Sequence, residues 1–361
     1  MKSHVCEFTP KDLLRFVTRP LLPLALFAAA IHTGARLHLL PVPRPTLDAE
    51  RAILIHQAEA ARRPQEAEVL LLGDSSCLMN VSARQLGEQL GRPALNLATF
   101  SFLDLNAHAL MLREFTRANP GRLRAVVLLM HPDSLRRLNA EPYYLAVLTN
   151  YWAGLDHCRT ELPAGRASCL LGVDAFNGRV LTRIVPTPLS GAYAHRYGFT
   201  RDLESFLTRE HGSAVDPDSK PFAGNAEYRL AATLERASKS FRDAVPPGAK
   251  LFVGITAVPE RFAGPRYPQL HSVLLRQWSQ WLQADFILTN LPPTLPDDSF
   301  ARSTHLKETS IPRYTEQLAV EVLHELRAEK DAQIRARDEQ IRAMEKRLVA
   351  LEERRSDRAA R

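Results

Sequence analysis

From Glu66 onward, short continuous apolar runs alternate with amphipathic segments in units of about thirty residues, and that period admits few architectures. A run that is apolar at every position must be covered on both faces, as in a parallel sheet sandwiched by crossover helices. Val69–Leu72, Ala94–Ala98, Ala125–Met130, Leu251–Thr256 and Asp285–Leu288 are the expected strands. Ser82–Leu90 reads as a helix stopped by Gly91, and Asp104–Arg117 as one ended by Asn119-Pro120-Gly121. Ala226–Ala244 and Gln269–Leu282 complete the helical segments. The expectation is a doubly wound α/β domain of about five strands, whose carboxyl ends gather the ligand-binding loops on one rim. Between about 132 and 223 the period lapses in a stretch rich in Tyr, Pro, Gly and Asn, read as an insertion or cap.

The chain ahead of this domain reads as a membrane-targeting segment. Lys2, Lys11, Arg15 and Arg19 precede an apolar run from Pro20 to Leu40, interrupted by His32 and Arg36. A signal sequence needs about 7–15 apolar residues behind a basic arm and a span needs about 20. Read to Leu40, the run reaches the second length. The expected order is therefore a basic cytoplasmic arm (1–19), an uncleaved signal anchor (20–40), a linker (41–65) and an exported domain facing the periplasm. Ala28–Ala30 leaves cleavage and secretion as the alternative, and a buried helix as another.

Composition is that of a globular protein, 45% hydrophobic and 24% charged, with a net charge of +7. Divided along the chain, +3 falls in residues 1–36 and +1 in the tail from Arg313, leaving +3 over residues 37–312. No dense basic run with interleaved aromatics is present, so nucleic acid is not an expected partner. Cys158 and Cys169 flank a short polar loop and are either a disulfide or two thiols. No His/Cys spacing suits a metal, and no cofactor is expected. From Arg313 to Arg361 there is neither proline nor glycine, and Ile334, Ile341 and Leu348 recur every seven residues, with Met344 and Leu351 between. That pattern predicts a coiled coil for self-association or partner docking, although Arg337 falls on its seam; a single charged helix is the other reading.

Gly73-Asp74-Ser75-Ser76 places a small polar turn directly after the first strand. Glycine permits a tight strand-to-helix turn that would hold the Ser75 hydroxyl at the rim beside backbone N–H groups, where an oxyanion could form; Asp and Ser are also ordinary helix caps. His305 lies in a polar loop just before the last helix of the α/β unit, where it could act as base for Ser75.

Leu71-Leu72-Gly73-Asp74-Ser75, the stretch Gly91-Arg-Pro-Ala-Leu-Asn96-Leu, the apolar third strand and His305-Leu306 before a helix together resemble the SGNH/GDSL hydrolase superfamily. More narrowly they resemble its membrane-anchored branch in bacterial polysaccharide, alginate-type, O-acetylation. The resemblance implies a three-layer, flavodoxin-like sheet, Ser75 as nucleophile and His305 as base. It also implies a polysaccharide substrate and a membrane acyltransferase partner. The sequence departs from the family in three places. Arg302 stands where the family has its carboxylate, no second-block glycine is evident in Ala98-Thr99-Phe100-Ser101, and Met130-His131-Pro132-Asp133 lacks the third-block asparagine. Asp297 or Asp298 is then the candidate to orient His305. The Ser75 amide, Ser101 and Asn106 are candidate oxyanion donors, and Asp74 is assigned to holding the turn. Two functions remain open at this point: an exported O-acetyltransferase or acetylesterase, or a catalytically degenerate scaffold that binds polysaccharide or organises a modification complex.

Overall fold

The computed structural model describes residues 9–37, 49–101, 103–136, 201–216, 228–327 and 339–342, with isolated positions at 39, 145, 148, 149, 152, 153 and 344. The chain divides into two compact units, Met1–Ala52 with Thr149–Ser205, and Ile53–Leu148 with Phe206–Arg361.

In the first unit, α1 (Pro10–Phe16) passes through a π-helical turn (Val17–Leu21) into α2 (Leu22–Arg36). Pro20 lies inside the π turn; it has no N–H to donate, so the regular helical ladder cannot continue through it. Leu22, Leu24, Leu26 and Phe27 are exposed. Among the described residues no helix is long and apolar enough to cross a membrane. Across the described part of 20–40, a proline-bearing turn is followed by the fifteen residues of α2.

The second unit holds a five-stranded parallel sheet in the order β2-β1-β3-β4-β6, flanked by helices: an α/β fold consistent with the flavodoxin-like class. Its strands are β1 (Val69–Gly73), β2 (Ala94–Asn96), β3 (Ala125–Met130), β4 (Lys250–Ile255) and β6 (Phe286–Ile287). They register as Leu70 beside Leu95 and Val126, and Val253 beside Leu128 and Ile287. Leu70, Leu71, Leu72, Val126–Leu129 and Leu251–Val253 have no exposed surface, which is why their runs carry no polar alternation. A separate pair, β5 (Val258–Pro259) and β7 (Thr294–Leu295), lies beyond the carboxyl end of β4.

The connections are α4 (Ser75–Asn80) and α5 (Ala83–Leu90) after β1, α6 (Leu105–Ala118) after β2, and the short α7 (Pro132–Leu135) after β3. Then come α8 (Arg201–Arg209), α9 (Leu234–Arg242), α10 (Glu260–Ala263), α11 (Tyr267–Leu282) and α12, over 311–327. Helices α6, α9 and α11 pack side by side. Helices α5 and α12 meet through Ser82 N–H to Thr315 Oγ1 at 3.0 Å and Gln85 Nε2 to the Pro312 carbonyl at 2.9 Å. Cap chemistry sets the boundaries. Ser82 and Asp104 accept the Gln85 and Ala107 amides, and Gly91 ends α5 in the left-handed conformation at φ +61°.

Several expectations are revised. Residues 49–62, read as linker, form the helix α3 (Ala49–Arg62), which buries Ile53, Leu54, Gln57 and Ala61 and pairs Arg62 Nε with Glu114 on α6 at 2.6 Å. The helix expected from Ala226 begins at Leu234: Tyr228–Leu230 has no regular structure, and Ala231 N–H bonds the Leu135 carbonyl. Cys158, Cys169, Ile334, Leu348 and Leu351 lie outside the described residues. Residues 339–342 and 344 are helical, with Ile341 and Met344 exposed.

Candidate active site

The turn after β1 sits where the strand order reverses, between β1 and β3, the place at which α/β sheets open a crevice beyond their carboxyl ends. Gly73 has φ +150°, and a Cβ there would stand 1.7 Å from the Leu129 carbonyl oxygen, so β1 and β3 can approach this closely only without a side chain. Gly73 O accepts the Thr99 amide at 3.0 Å, and His108 Nε2 lies 2.7 Å from the same oxygen. Asp74 is buried, and its carboxylate accepts Ser76 N–H (2.9 Å), Ser76 Oγ–H (2.6 Å) and His131 N–H (2.9 Å). Thr256 Oγ1 donates to Ser76 Oγ at 2.8 Å. One carboxylate thus ties the ends of β1 and β3 directly, and that of β4 through Ser76, leaving Ser75 at the start of α4.

Ser75 Oγ lies 2.9 Å from His305 Nε2, and His305 Nδ1 lies 2.6 Å from Asp216 Oδ2. A carboxylate only accepts, so Nδ1 carries the proton and Nε2 is left to accept from the serine hydroxyl. Asp216 and His305 are both buried. The arrangement is the hydrogen-bonded nucleophile, base and orienting carboxylate from which a serine becomes a nucleophile.

The carboxylate differs from the one expected. Asp297 Oδ1 accepts Arg261 N–H at 3.0 Å and its other oxygen pairs with Arg261 Nε at 3.1 Å, while Asp298 is exposed on the 3₁₀ turn Asp297–Ser299. The oxygen facing His305 belongs to Asp216, 89 positions upstream, in the stretch read as insertion or cap. Its place is set by the edge of β2. His211 O accepts Asn96 N–H at 2.8 Å, and Gln57 Nε2 donates to Gly212 O at 2.9 Å. Gly212 runs at φ +86° where a Cβ would meet Asn96 O at 2.0 Å. Ser213 Oγ accepts Ala83 N–H at 2.9 Å, and Ala214 N–H donates to Leu78 O at 3.0 Å. In the sequence His211-Gly-Ser-Ala-Val-Asp216, only the glycine marks an unusual backbone; nothing local marks the aspartate.

The His305 loop is held as firmly. His305 O accepts Ala301 N–H (2.9 Å) and Arg302 N–H (3.2 Å), closing a tight turn around the antiparallel bridge Phe300–Leu306. Asn80, at the end of α4, donates to Thr304 O at 3.1 Å and accepts Leu306 N–H at 2.8 Å. Arg302 turns inward: its Nε stands 2.6 Å from Asp216 Oδ2, a close ion pair whose N–H is not aimed along the contact.

No family model matches the chain. No curated protein matches it either.

The remaining candidates divide. The Ser75 amide opens α4 at the rim. Asn106 is exposed in the first turn of α6 and donates one of its two amide N–H groups to Asp104 Oδ2 at 3.1 Å. Ser101 lies in the half-buried turn between β2 and α6. Cys77 is fully buried on α4, and burial, with Asp74 nearby, pushes its thiol well above the ordinary range, so it is no second nucleophile. Among the described residues no group of His, Cys, Asp or Glu could hold a metal ion.

Proposed function

We propose that this protein is an exported serine acyl-transfer enzyme with an SGNH-like active site, an O-acetyltransferase or acetylesterase acting on an extracellular polysaccharide. The observation that carries the reading is the continuous hydrogen-bonded line Ser75 Oγ, His305, Asp216, at 2.9 and 2.6 Å. In the reaction His305 Nε2 takes the Ser75 proton as Oγ attacks the acyl carbonyl, Asp216 supports the imidazolium that forms, and the alkoxide leaves with that proton. A sugar hydroxyl or water then attacks the acyl-enzyme, with His305 as base again. The Ser75 amide is the first oxyanion donor.

Attachment to the membrane by the amino-terminal segment belongs to the same proposal. It is supported by the basic Lys11, Arg15 and Arg19 preceding exposed Leu22, Leu24, Leu26 and Phe27. A membrane acyltransferase partner, and self-association through the heptads of the tail, complete the proposed setting.

The absence of an asparagine after β3, where the resemblance implies an oxyanion donor, favours a second reading, a glycan-binding scaffold without turnover. Reaction of the full chain with a fluorophosphonate probe, alongside Ser75→Ala, separates the two. Labelling that depends on Ser75, with turnover of an aryl acetate, is expected of the enzyme. Neither is expected of the scaffold.

A further inference from the structure

We infer that Arg302 is a positioning residue for the Asp216–His305 pair, holding the buried carboxylate by charge so that Oδ2 stays on the imidazole Nδ1–H. The Asp216 side chain is 3% exposed, and a carboxylate so enclosed needs a compensating partner. A neutral imidazole offers one N–H and no charge. Arg302 supplies the charge, with Nε 2.6 Å from Oδ2, the same oxygen that receives His305 Nδ1–H at 2.6 Å.

The local backbone makes this arrangement specific. Arg302 N–H and Ala301 N–H both bond the His305 carbonyl, so the guanidinium and the imidazole leave one tight turn and converge on one oxygen. Asp216 is therefore placed from two sides, by the 211–214 backbone along β2 and by a cation on the histidine's own loop. Because the contact carries charge, a lysine that reaches the same oxygen should serve for the most part, and a neutral glutamine of similar length should not. A small displacement of Asp216 would release the imidazole from the orientation that faces Ser75, and displacements of about 1 Å cost on the order of 10²-fold in rate.

The kinetic part of this inference rests on the acyl-transfer reading; the geometric part does not. The test uses the full chain and its Arg302→Gln, Arg302→Lys and Asp216→Asn variants. The first readout is the downfield proton resonance of a histidine N–H bonded to a carboxylate, assigned to His305 by its loss in D216N. The second is kcat and KM for an aryl acetate. The expected result is that R302Q loses or broadens the resonance and lowers kcat about tenfold or more with KM unchanged, while R302K keeps the resonance and most of kcat. A wild-type protein without the resonance, or an R302Q protein retaining it at full intensity, overturns the inference. If R302Q does not fold, R302K decides: retention of the resonance supports positioning by charge, and its loss overturns it. Loss of the resonance in R302Q from a wild-type protein without turnover upholds the positioning and sinks the enzyme reading.

Discussion

Asn80 and Leu306 are joined by a 2.8 Å hydrogen bond from the Leu306 amide to Asn80 Oδ1, and the Asn80 amide reaches back over His305 to the Thr304 carbonyl at 3.1 Å. One side chain thus grips the peptides on both sides of the histidine. It stands at the far end of the six-residue helix that begins with Ser75. The same helix offers Leu78 O to Ala214 on the way to Asp216. The spacing of serine, histidine and aspartate is therefore measured off a single helix of less than two turns.

Asn80→Ala removes both grips and leaves a buried Leu306 N–H without its acceptor, at a cost of about 1–3 kcal/mol in urea unfolding. The rate of Ser75 labelling by a fluorophosphonate should fall with it. Asn80→Asp keeps an acceptor for Leu306 but sets a buried carboxylate against the Thr304 carbonyl, so it should lose at least as much as alanine in both measurements.

Asp216→Asn should lower aryl acetate turnover on the order of 10³–10⁴-fold, because an amide can present a donor to Nδ1 and favour the wrong tautomer. Asp297→Asn and Asp298→Asn should leave turnover at the wild-type level. Equal losses in all three would count against Asp216 as the orienting group.

Gly73→Ala should destabilise the fold by at least about 3 kcal/mol in thermal or urea unfolding. Its Cβ would fall 1.7 Å from the Leu129 carbonyl, and the backbone at φ +150° is itself unsuited to a side chain. A substitution with no measurable effect would mean that β1 and β3 do not approach as described.

Two carboxyls should respond to pH with opposite signs. Burial pushes Asp285 up, but the Leu251 amide and the Arg242 guanidinium, helped by Lys250, outweigh it and hold the carboxyl below the usual range. A folded value below the unfolded one adds stability that is complete above about pH 4 and is lost as pH falls through the folded value. Asp285→Asn should therefore flatten the acid limb of a stability profile. Glu321 is the reverse: burial, with Glu325 adding to it, raises its carboxyl despite the Asn290 amide. Its contribution is complete below the unfolded value and lost as pH rises through the folded one. Glu321→Gln, which keeps an acceptor for Asn290, should gain stability relative to wild type at pH 7 and lose that gain in acid. Urea unfolding midpoints of the two variants between pH 3 and 8 check both signs.

The sheet was readable from residue pattern because a strand covered on both faces has to be apolar throughout, and each of the five predicted runs contributes a strand to the sheet. The candidate site was readable only where its chemistry is local. Gly73, Asp74 and Ser75 form a turn whose residue types answer to its own backbone, and His305 stands out as a polar residue before a helix. Residues 49–62, a helix with one apolar stripe and several charges, look solvated in sequence until α6 supplies Glu114 for Arg62. Asn106 suggests a donor by type, and one of its two N–H groups goes to the cap residue of its own helix.

What the sequence determined by itself was the five strands of the sheet and the main helices between them, since apolar periodicity, glycine backbone freedom and cap preferences act within a few residues. It also placed a serine and a histidine in polar loops of the expected sheet. Only the tertiary structure chose the carboxylate. Asp216 and His305 are 89 positions apart, and the edge of β2, Gly212 in its left-handed backbone and the Leu78 carbonyl on α4 bring the aspartate to its place. Contacts of that separation leave no period in the residues between them, so an aspartate beside a proline reads as an ordinary loop until the chain has closed around it.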